Sequence, residues 1–456
     1  MKDLRQLFGT DGIRGVANLD LTPEFALKVG RAGAKYLAAG SKKGRIIVGR
    51  DPRPSGDFIS SALVSGILSS GVSVLDAGII TTPATALITR LLDLDGGIVI
   101  SASHNPLEDN GIKFFSKGGT KLTDVQEKSI EEFILSLNPE NDNKQIYPLG
   151  LGVGRYNRLE NAYDVYINYL IRNFNLDLSG LKIALDCANG AASILAPAVL
   201  EKFGAKVMSF NNDTGGELIN KNCGSTHPEV LTKIVVENRA DIGFTYDGDG
   251  DRVIAADSHG RILDGDIIIG FSAIDMANKG ILKNNSVVTT VMANMGFDKV
   301  LQSKGITVYK TNVGDRYVLE KMIEVDCILG GEQSGHIIFR NLSPTGDGII
   351  STLEFLNVLT KNNYNLEEIY NLIPKYPQVL KNVKVKDKSK ILSNESLKLK
   401  IKELENKISG SGRILVRPSG TEPVIRVMAE AETMALTEEL VTSIINEIKK
   451  INGNNS

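Results

Sequence analysis

The chain has 456 residues, enough for about three or four domains. Hydrophobic residues make up 42% and charged residues 23%, which excludes a disordered chain, and a net charge of −2 excludes a global pull toward nucleic acid or an anionic membrane. Its three cysteines, Cys187, Cys223 and Cys327, exclude a disulfide framework and, with no CxxC pair, argue against structural zinc.

The N-terminus, MKDLRQLFGTDG, has no apolar core of signal-peptide length, and no run of roughly 18 apolar residues follows, so a cytoplasmic chain without a transmembrane helix is expected. FGTDGIRG (Phe8–Gly15) sets Arg14 among glycines, where crowded backbone favours a cleft. The strand RIIVGR then meets the loop DPRPSG, whose Arg53 is either structural or a peripheral phosphate contact. The helix FISSALVSGILSSG, the strand GVSVLDAG and a second helix follow, and GGIVISASHNP (Gly96–Pro106) reads as a strand emptying into a polar loop.

This order recurs. LKIALDCANG is strand and loop, SILAPAVLEKFG helix, AKVMSFNND strand, and a helix near Pro228–Arg239 leads into ADIGFTYDGDGDR. A third pass runs through SVVTTVMANMG, FDKVLQSKG and ITVYKTNVG, then a helix near Asp315–Ile323 and DCILGGEQSGH. The fold class is therefore α/β: three related mixed α/β domains of βαβ-type units plus a smaller α+β C-terminal domain, arranged around a central cleft. Expected boundaries are 1–150, 151–253, 254–370 and 371–456. YPLGLGVGRY (Tyr147–Tyr156) reads as a linker, and DRVIAADSHGRILDGD joins the second and third domains, with Asp264 or Asp266 capping the next helix. The final helix, around Thr433–Lys449, repeats Leu436, Leu440, Ile444 and Ile448 on one face.

Each unit ends in its own polar loop, where ligands sit in such folds. In SASHNP, Ser103 and His104 are adjacent, and adjacent side chains often diverge, so a Ser–His dyad within the loop is a weak reading. Lys113, just beyond, offers a cation for phosphoryl oxygens or proton transfer. In DGDGDR, Asp247, Asp249 and Asp251 converge if the glycines let the loop curl, and hard oxygens select Mg²⁺ or a similar ion. An EF-hand fails, because Arg252 and Ser258 stand where it needs Gly and Glu. In GEQSGH, Glu332 and Ser334 can bond sugar hydroxyls, and His336 can move protons or bind an anion. RPSGTEP offers Arg417, Ser419, Gly420 and Thr421, with Arg426 following, as a phosphate cradle. Asp315–Arg316 reads equally as a helix-start salt bridge or a site. With neither a Walker loop nor G-x-G-x-x-G present, the set implies transfer of the enzyme's own phosphoryl group on a phosphosugar, not ATP chemistry.

FGTDGIRGVAN, SASHNP, DNGIKFFS, DGDGDR, GEQSGH and RPSGTEPVIRVM, in this order, resemble the α-D-phosphohexomutase superfamily from end to end. TDGIRGVAN and Gln333 resemble its amino-sugar branch. The resemblance implies interconversion of glucosamine 6-phosphate and glucosamine 1-phosphate through a phosphoserine at Ser103 and a bound glucosamine 1,6-bisphosphate. It implies one Mg²⁺ held by the Ser103 phosphate, Asp247, Asp249 and Asp251. Lys113 and His336 would serve proton transfer or oxyanion stabilisation, with Arg14 and Arg252 beside the transferring group. Glu332 and Ser334 would read the sugar. Arg417, Ser419, Gly420, Thr421 and Arg426 would hold the phosphate that is not reacting. A small phosphosugar is the implied partner, without nucleic acid or membrane, and a homodimer the assembly suggested. The C-terminal domain is the expected lid. The rival readings are a phosphoglucomutase or phosphomannomutase of the same superfamily, an aspartyl-nucleophile phosphatase or mutase phosphorylated at Asp247, and a non-enzymatic sugar-phosphate sensor.

Overall fold

The structure, a computed structural model, describes residues 7–9, 11–137, 147–362, 365–419 and 423–453. Its chain divides into two compact units, Met1–Met292 with Ile306–Tyr370, and Ala293–Gly305 with Asn371–Ser456.

Three sheets of one design build the first unit. In each, a central strand lies between two parallel neighbours, and one of these turns back into an antiparallel strand. The first sheet runs Asp109–Ser116, Gly96–Ile100, Arg45–Arg50, Ser73–Ile79 through its middle. The second runs Val253–Asp257, Ile242–Tyr246, Lys182–Asp186, Lys206–Phe210, and the third Ile337–Phe339, Leu329–Gly331, Ser286–Thr290, Thr307–Thr311. The recurring loops of the sequence are the turns into those antiparallel strands, so one topological position carries all three. Consecutive Ile46, Ile47 and Val48 are all buried, as in a strand covered on both faces.

Local chemistry sets the helix ends. Thr22, ahead of Pro23, accepts from Phe25 N, and Thr123 forms a capping box with Gln126. Asp264, one of the two expected caps, accepts from Ile267 N, while Asp266 accepts from Gln333. The helix Pro228–Asn238 stops at Arg239, which is left-handed at φ 51°. Helices Pro23–Leu37 and Ser55–Ser69 cross at backbone distance. A Cβ at Gly30 would sit 2.1 Å from Leu63 O, and one at Gly66 2.2 Å from Leu27 O. Glycine's cost inside a helix, about 1 kcal/mol, is offset there by packing.

Of two stretches read as connections, the first runs as one up to Arg155 and enters a sheet at its last residue, Tyr156, while the second is part of a sheet. Tyr156–Arg158 pairs in parallel with Ser73–Ile79 as a sixth strand of the first sheet. The presumed joint after DGDGDR contributes Val253–Asp257 and Ile262–Leu263 to the second sheet. Pairing outweighs the glycine and charge content that suggested loops.

The second unit is a three-stranded antiparallel sheet, ordered Gln378–Lys384, Val424–Glu430, Arg413–Pro418. The final helix, Met434–Gly453, buries Leu440, Ile444 and Ile448 in a core with Ile425 and Val427. Helix Met295–Ser303 belongs here: Asn294 exchanges hydrogen bonds with the backbone of Tyr376, and Met295 N donates to Glu430. Among the described residues no helix is long and apolar enough to cross a membrane.

Candidate active site

Ser103 sits in left-handed backbone at φ 53°, a conformation costing a non-glycine residue roughly 1–2 kcal/mol. A buried polar frame holds it there. Ser101 Oγ accepts from Ser103 N at 2.9 Å and donates to Asp51 at 2.6 Å. Arg53, wholly buried and ion-paired to Asp51 at 3.1 Å, donates to the carbonyls of Ser103, Asn105, Pro106 and Asp109. Asn220 adds a second donor to Ser103 O at 2.8 Å. Of the two readings of Arg53, the structural one holds: its guanidinium is occupied by the loop's carbonyls.

The turn aims Ser103 Oγ at Asp247, to which it donates at 2.6 Å. It also lies 3.2 Å from His104 Nδ1, so the adjacency discounted on sequence grounds is a contact. The left-handed backbone of Ser103 itself is the reason. Burial, then the positive charges of Arg252 and Arg14, pull the His104 pKa down to about 4, so its imidazole is neutral at pH 7.

Asp247, Asp249 and Asp251 are buried, with one oxygen from each within 4.8 Å of the others. A Cβ at Gly248 would lie 2.6 Å from Ser103 O, so a side chain there would push serine and carboxylates apart. Burial, then Asp251 and Asp249, hold the Asp247 carboxyl well above its ordinary range. For Asp251 burial acts in the same direction, but His336, Lys113 and Arg252 outweigh it and hold the group well below. Asp249 Oδ1 and Asp251 Oδ1 are buried without hydrogen-bond partners. Convergent hard oxygens with unmet demand fit a divalent cation of the Mg²⁺ type.

Cations ring this group. Lys113 Nζ lies 2.8 Å from both Asp249 and Asp11. Burial lowers its pKa, but Asp11, Asp249 and Asp251 outweigh that and raise it. His336 presents Nδ1 to Asp251 and Nε2 to Asp315, each at 3.4 Å, the latter an ion-pair separation without an aligned hydrogen bond. Burial opposes its charge, yet Asp251 and Asp315 raise its pKa to about 9, so it is an imidazolium at pH 7. Arg14 bonds Asp11 at 2.7 Å and Asn105 at 3.2 Å. Arg252 gives its backbone N–H to Asp247 at 3.2 Å, and its buried Nε has no hydrogen-bond partner. Glu332 accepts from Gly314 N at 3.1 Å, and Ser334 is exposed on the same turn. Thus Ser103, Lys113, the three aspartates, Arg14, Arg252 and His336 are linked by short contacts from three sheets.

In the second unit Arg417 and Arg426 are directly opposed on adjacent strands. Burial and the charge of Arg426 lower the Arg417 pKa. Opposed like charges repel, and a shared anion relieves this. Lys388 Nζ, which no motif flagged, donates to Ser419 O at 2.7 Å. Gly420 and Thr421 lie outside the described residues.

Sequence reasoning missed Asp11, Thr82, Lys121 and Asn220. Thr82 Oγ1 donates to Asp249 at 2.5 Å, and Lys121 reaches Asp11 at 2.5 Å and also Asp315. Asp11 lies inside FGTDGIRG, where the glycines around Arg14 carry the local signal. Nothing in the sequence singled out Lys121 or Asn220, because their partners are over 100 residues away.

The phosphoglucomutase/phosphomannomutase family matches in all four of its domains: alpha/beta/alpha domain I over residues 5–141, domain II over 164–260, domain III over 264–376 and the C-terminal domain over 380–447. The chain is 50% identical over 446 residues to phosphoglucosamine mutase of Carboxydothermus hydrogenoformans, covering 98% of this chain and 100% of that one. It is 48% identical over 448 residues to phosphoglucosamine mutase of Caldanaerobacter subterraneus, covering 98% and 99%. A phosphoglucomutase/phosphomannomutase family protein from Burkholderia thailandensis superposes with a TM-score of 0.80 at 24% identity, covering 97% of each chain, a likeness of fold.

Proposed function

The chain belongs to the phosphoglucomutase/phosphomannomutase family, and from that premise we propose that it is an intramolecular phosphotransferase interconverting glucosamine 6-phosphate and glucosamine 1-phosphate. The observation that carries the reading is Ser103 Oγ held 2.6 Å from Asp247 in a buried, cation-ringed carboxylate triad. Near-full-length identity to phosphoglucosamine mutases supports the amino sugar.

In the forward direction Ser103 starts as its phosphoester. The free O1 hydroxyl of glucosamine 6-phosphate attacks phosphorus, the bond to Ser103 Oγ breaks, the O1 proton ends on Ser103 Oγ, and glucosamine 1,6-bisphosphate forms. The bisphosphate turns over, Ser103 Oγ takes the phosphoryl from O6, and glucosamine 1-phosphate leaves with the phosphoserine restored. Asp247, Asp249, Asp251 and a phosphate oxygen on Ser103 would hold Mg²⁺. When bound, that ion offsets charge on the transferring phosphoryl group and polarises it. Lys113, His336, Arg14 and Arg252 place positive charge beside the same group. His104 stays neutral beside Ser103 Oγ, because burial and the charges of Arg252 and Arg14 disfavour its protonation.

Glu332 and Ser334 read sugar hydroxyls in this scheme, and Arg417, Ser419, Gly420, Thr421 and Arg426 hold the other phosphate. The proposed division is into domains 1–150, 151–253, 254–370 and 371–456, although strands Val253–Asp257 and Ile262–Leu263 carry the second sheet past the 253 boundary, with a cytoplasmic homodimer as the working assembly.

The test is turnover of glucosamine, glucose and mannose phosphates with Mg²⁺, with intact-mass and peptide mass spectrometry alongside. Preference for the amino sugar and an acid-stable phosphate on Ser103 are expected. Preference for glucose or mannose reassigns the substrate, and an acyl phosphate on Asp247 overturns the nucleophile.

A further inference from the structure

Seven charges form a closed circuit through the first unit, Asp249, Lys113, His336 and Asp251 buried and Asp11, Lys121 and Asp315 largely shielded. From Asp249 it passes to Lys113 at 2.8 Å, to Asp11 at 2.8 Å, to Lys121 at 2.5 Å and then to Asp315. From Asp315 it reaches His336 at 3.4 Å and Asp251 at 3.4 Å, which lies with Asp249 in the triad. The sign alternates at every step up to the triad, and no side chain on the path is more than 17% exposed. All three sheets contribute.

Two members touch no proposed reacting group. Among the described residues the Lys121 ammonium bonds Asp11 and Asp315, and Asp315 reaches the triad through His336 on one side and through Lys121 on the other. Taking charges out of water costs several kcal/mol per ion, and packed apolar residues often serve stability as well or better. A junction needed only for cohesion has no requirement for a largely shielded lysine between two carboxylates. What this arrangement does supply is placement. Through Asp11 it holds the Lys113 ammonium against Asp249. Through Asp315 it fixes the face that His336 turns to Asp251.

We propose that Lys121 is a positioning residue for phosphoryl transfer, with Asp11 and Asp315 as its arms, setting the two cations Lys113 and His336 on either side of the carboxylate triad. The proposal rests on the mutase reading above. An internal comparator adjoins it. Arg316, next to Asp315, grips the same stretch of the first sheet's domain through Asp124, Glu127 and the Leu122 carbonyl, yet lies outside the circuit. Lys121 and Arg316 thus fasten one junction, and only Lys121 leads to the reacting centre.

The experiment uses full-length, Mg²⁺-loaded, Ser103-phosphorylated enzyme with glucosamine 6-phosphate, recording kcat, KM and melting temperature. Lys121→Met is expected to lower kcat roughly 10–100-fold with KM within about threefold of wild type, and Lys121→Arg to regain part of the loss. Arg316→Met is expected to lower the melting temperature while kcat stays within about threefold. Equal kcat losses in K121M and R316M, or an undiminished kcat in K121M, would overturn the proposal and leave a structural fastening. If K121M does not fold, Asp315→Asn carries the same expectation and the same refutation. Ser103→Ala separates the two readings. Turnover surviving S103A overturns the mutase reading and this proposal together, whereas an inactive S103A beside a fully active K121M overturns this proposal alone.

Discussion

The turns at Ser101–Pro106 and Asp247–Arg252 occupy the same place in two sheets of the same design, yet they are finished differently. The serine turn is completed by protein groups: Asp51, Arg53 and Ser101 of its own sheet and Asn220 from beside the second satisfy its backbone and hold a strained residue in place. The aspartate turn is left incomplete, with three carboxylates converging and two of their oxygens unpartnered. One hairpin supplies a rigid nucleophile mount, and the other supplies unmet demand for a cation. The difference teaches that a shared topology sets where chemistry is displayed, while the neighbours of each turn decide whether it needs a ligand.

The largest expected effect removes what the rigid turn displays. Ser103→Ala should cut turnover by more than about 1,000-fold while leaving sugar phosphate binding measurable by calorimetry. Equal loss of both would mean that the serine turn is structural. Next comes the incomplete turn. Asp249→Ala, or chelation of the metal in wild-type enzyme, should lower kcat by about 100-fold or more, and the variant should bind Mg²⁺ more weakly in a titration. Unchanged activity would remove Asp249 from the ligand set.

A third change sharpens the contrast by leaving one buried charge of the serine frame unpaired. Arg53→Met strands Asp51, at a cost of about 3–5 kcal/mol, read as a shift in the denaturation midpoint. The double variant with Asp51→Asn should recover part of that loss, and no recovery would show that the carbonyl contacts alone matter. The smallest effect concerns Asp347, a buried helix cap with hydrogen bonds but no cation, intermediate between the two turns. Burial pushes its pKa up to about 6 against the bonds from Ile350, Tyr166 and Ile349. The folded chain therefore holds a proton that the unfolded chain has released between about pH 4 and 6. The stability contributed by that proton is present below this window and lost as pH rises through it. Asp347→Asn should flatten this part of a melting-temperature profile measured across it, and an unchanged slope would refute the shift.

Much of the site was readable because its motifs are short and local. DGDGDR shows three carboxylates at a spacing that glycines can curl, and RPSGTEP shows guanidinium beside hydroxyl. The repeat of strand, helix and polar loop was legible from apolar β-branched runs alone. The connections were less so. DRVIAADSHGRILDGD carries loop-like composition, yet Val253–Asp257 pairs along its whole length with Ile242–Tyr246, and such pairing leaves no local signature. Arg53 could not be assigned, because a structural and a phosphate-binding arginine look identical until the acceptors around it are known.

Sequence by itself determined the α/β class, the nucleophile and metal-site candidates, the likeness to phosphohexomutases and the surface chemistry of each turn, since these depend on residue type and near spacing. Only the tertiary structure decided that Ser103 meets Asp247 across 144 residues, that His104 is neutral while His336 is charged, and that Lys121 joins Asp11 to Asp315. Charge state and contact are properties of surroundings. In a buried site those surroundings come from three separate sheets, so they exist only once the chain has folded.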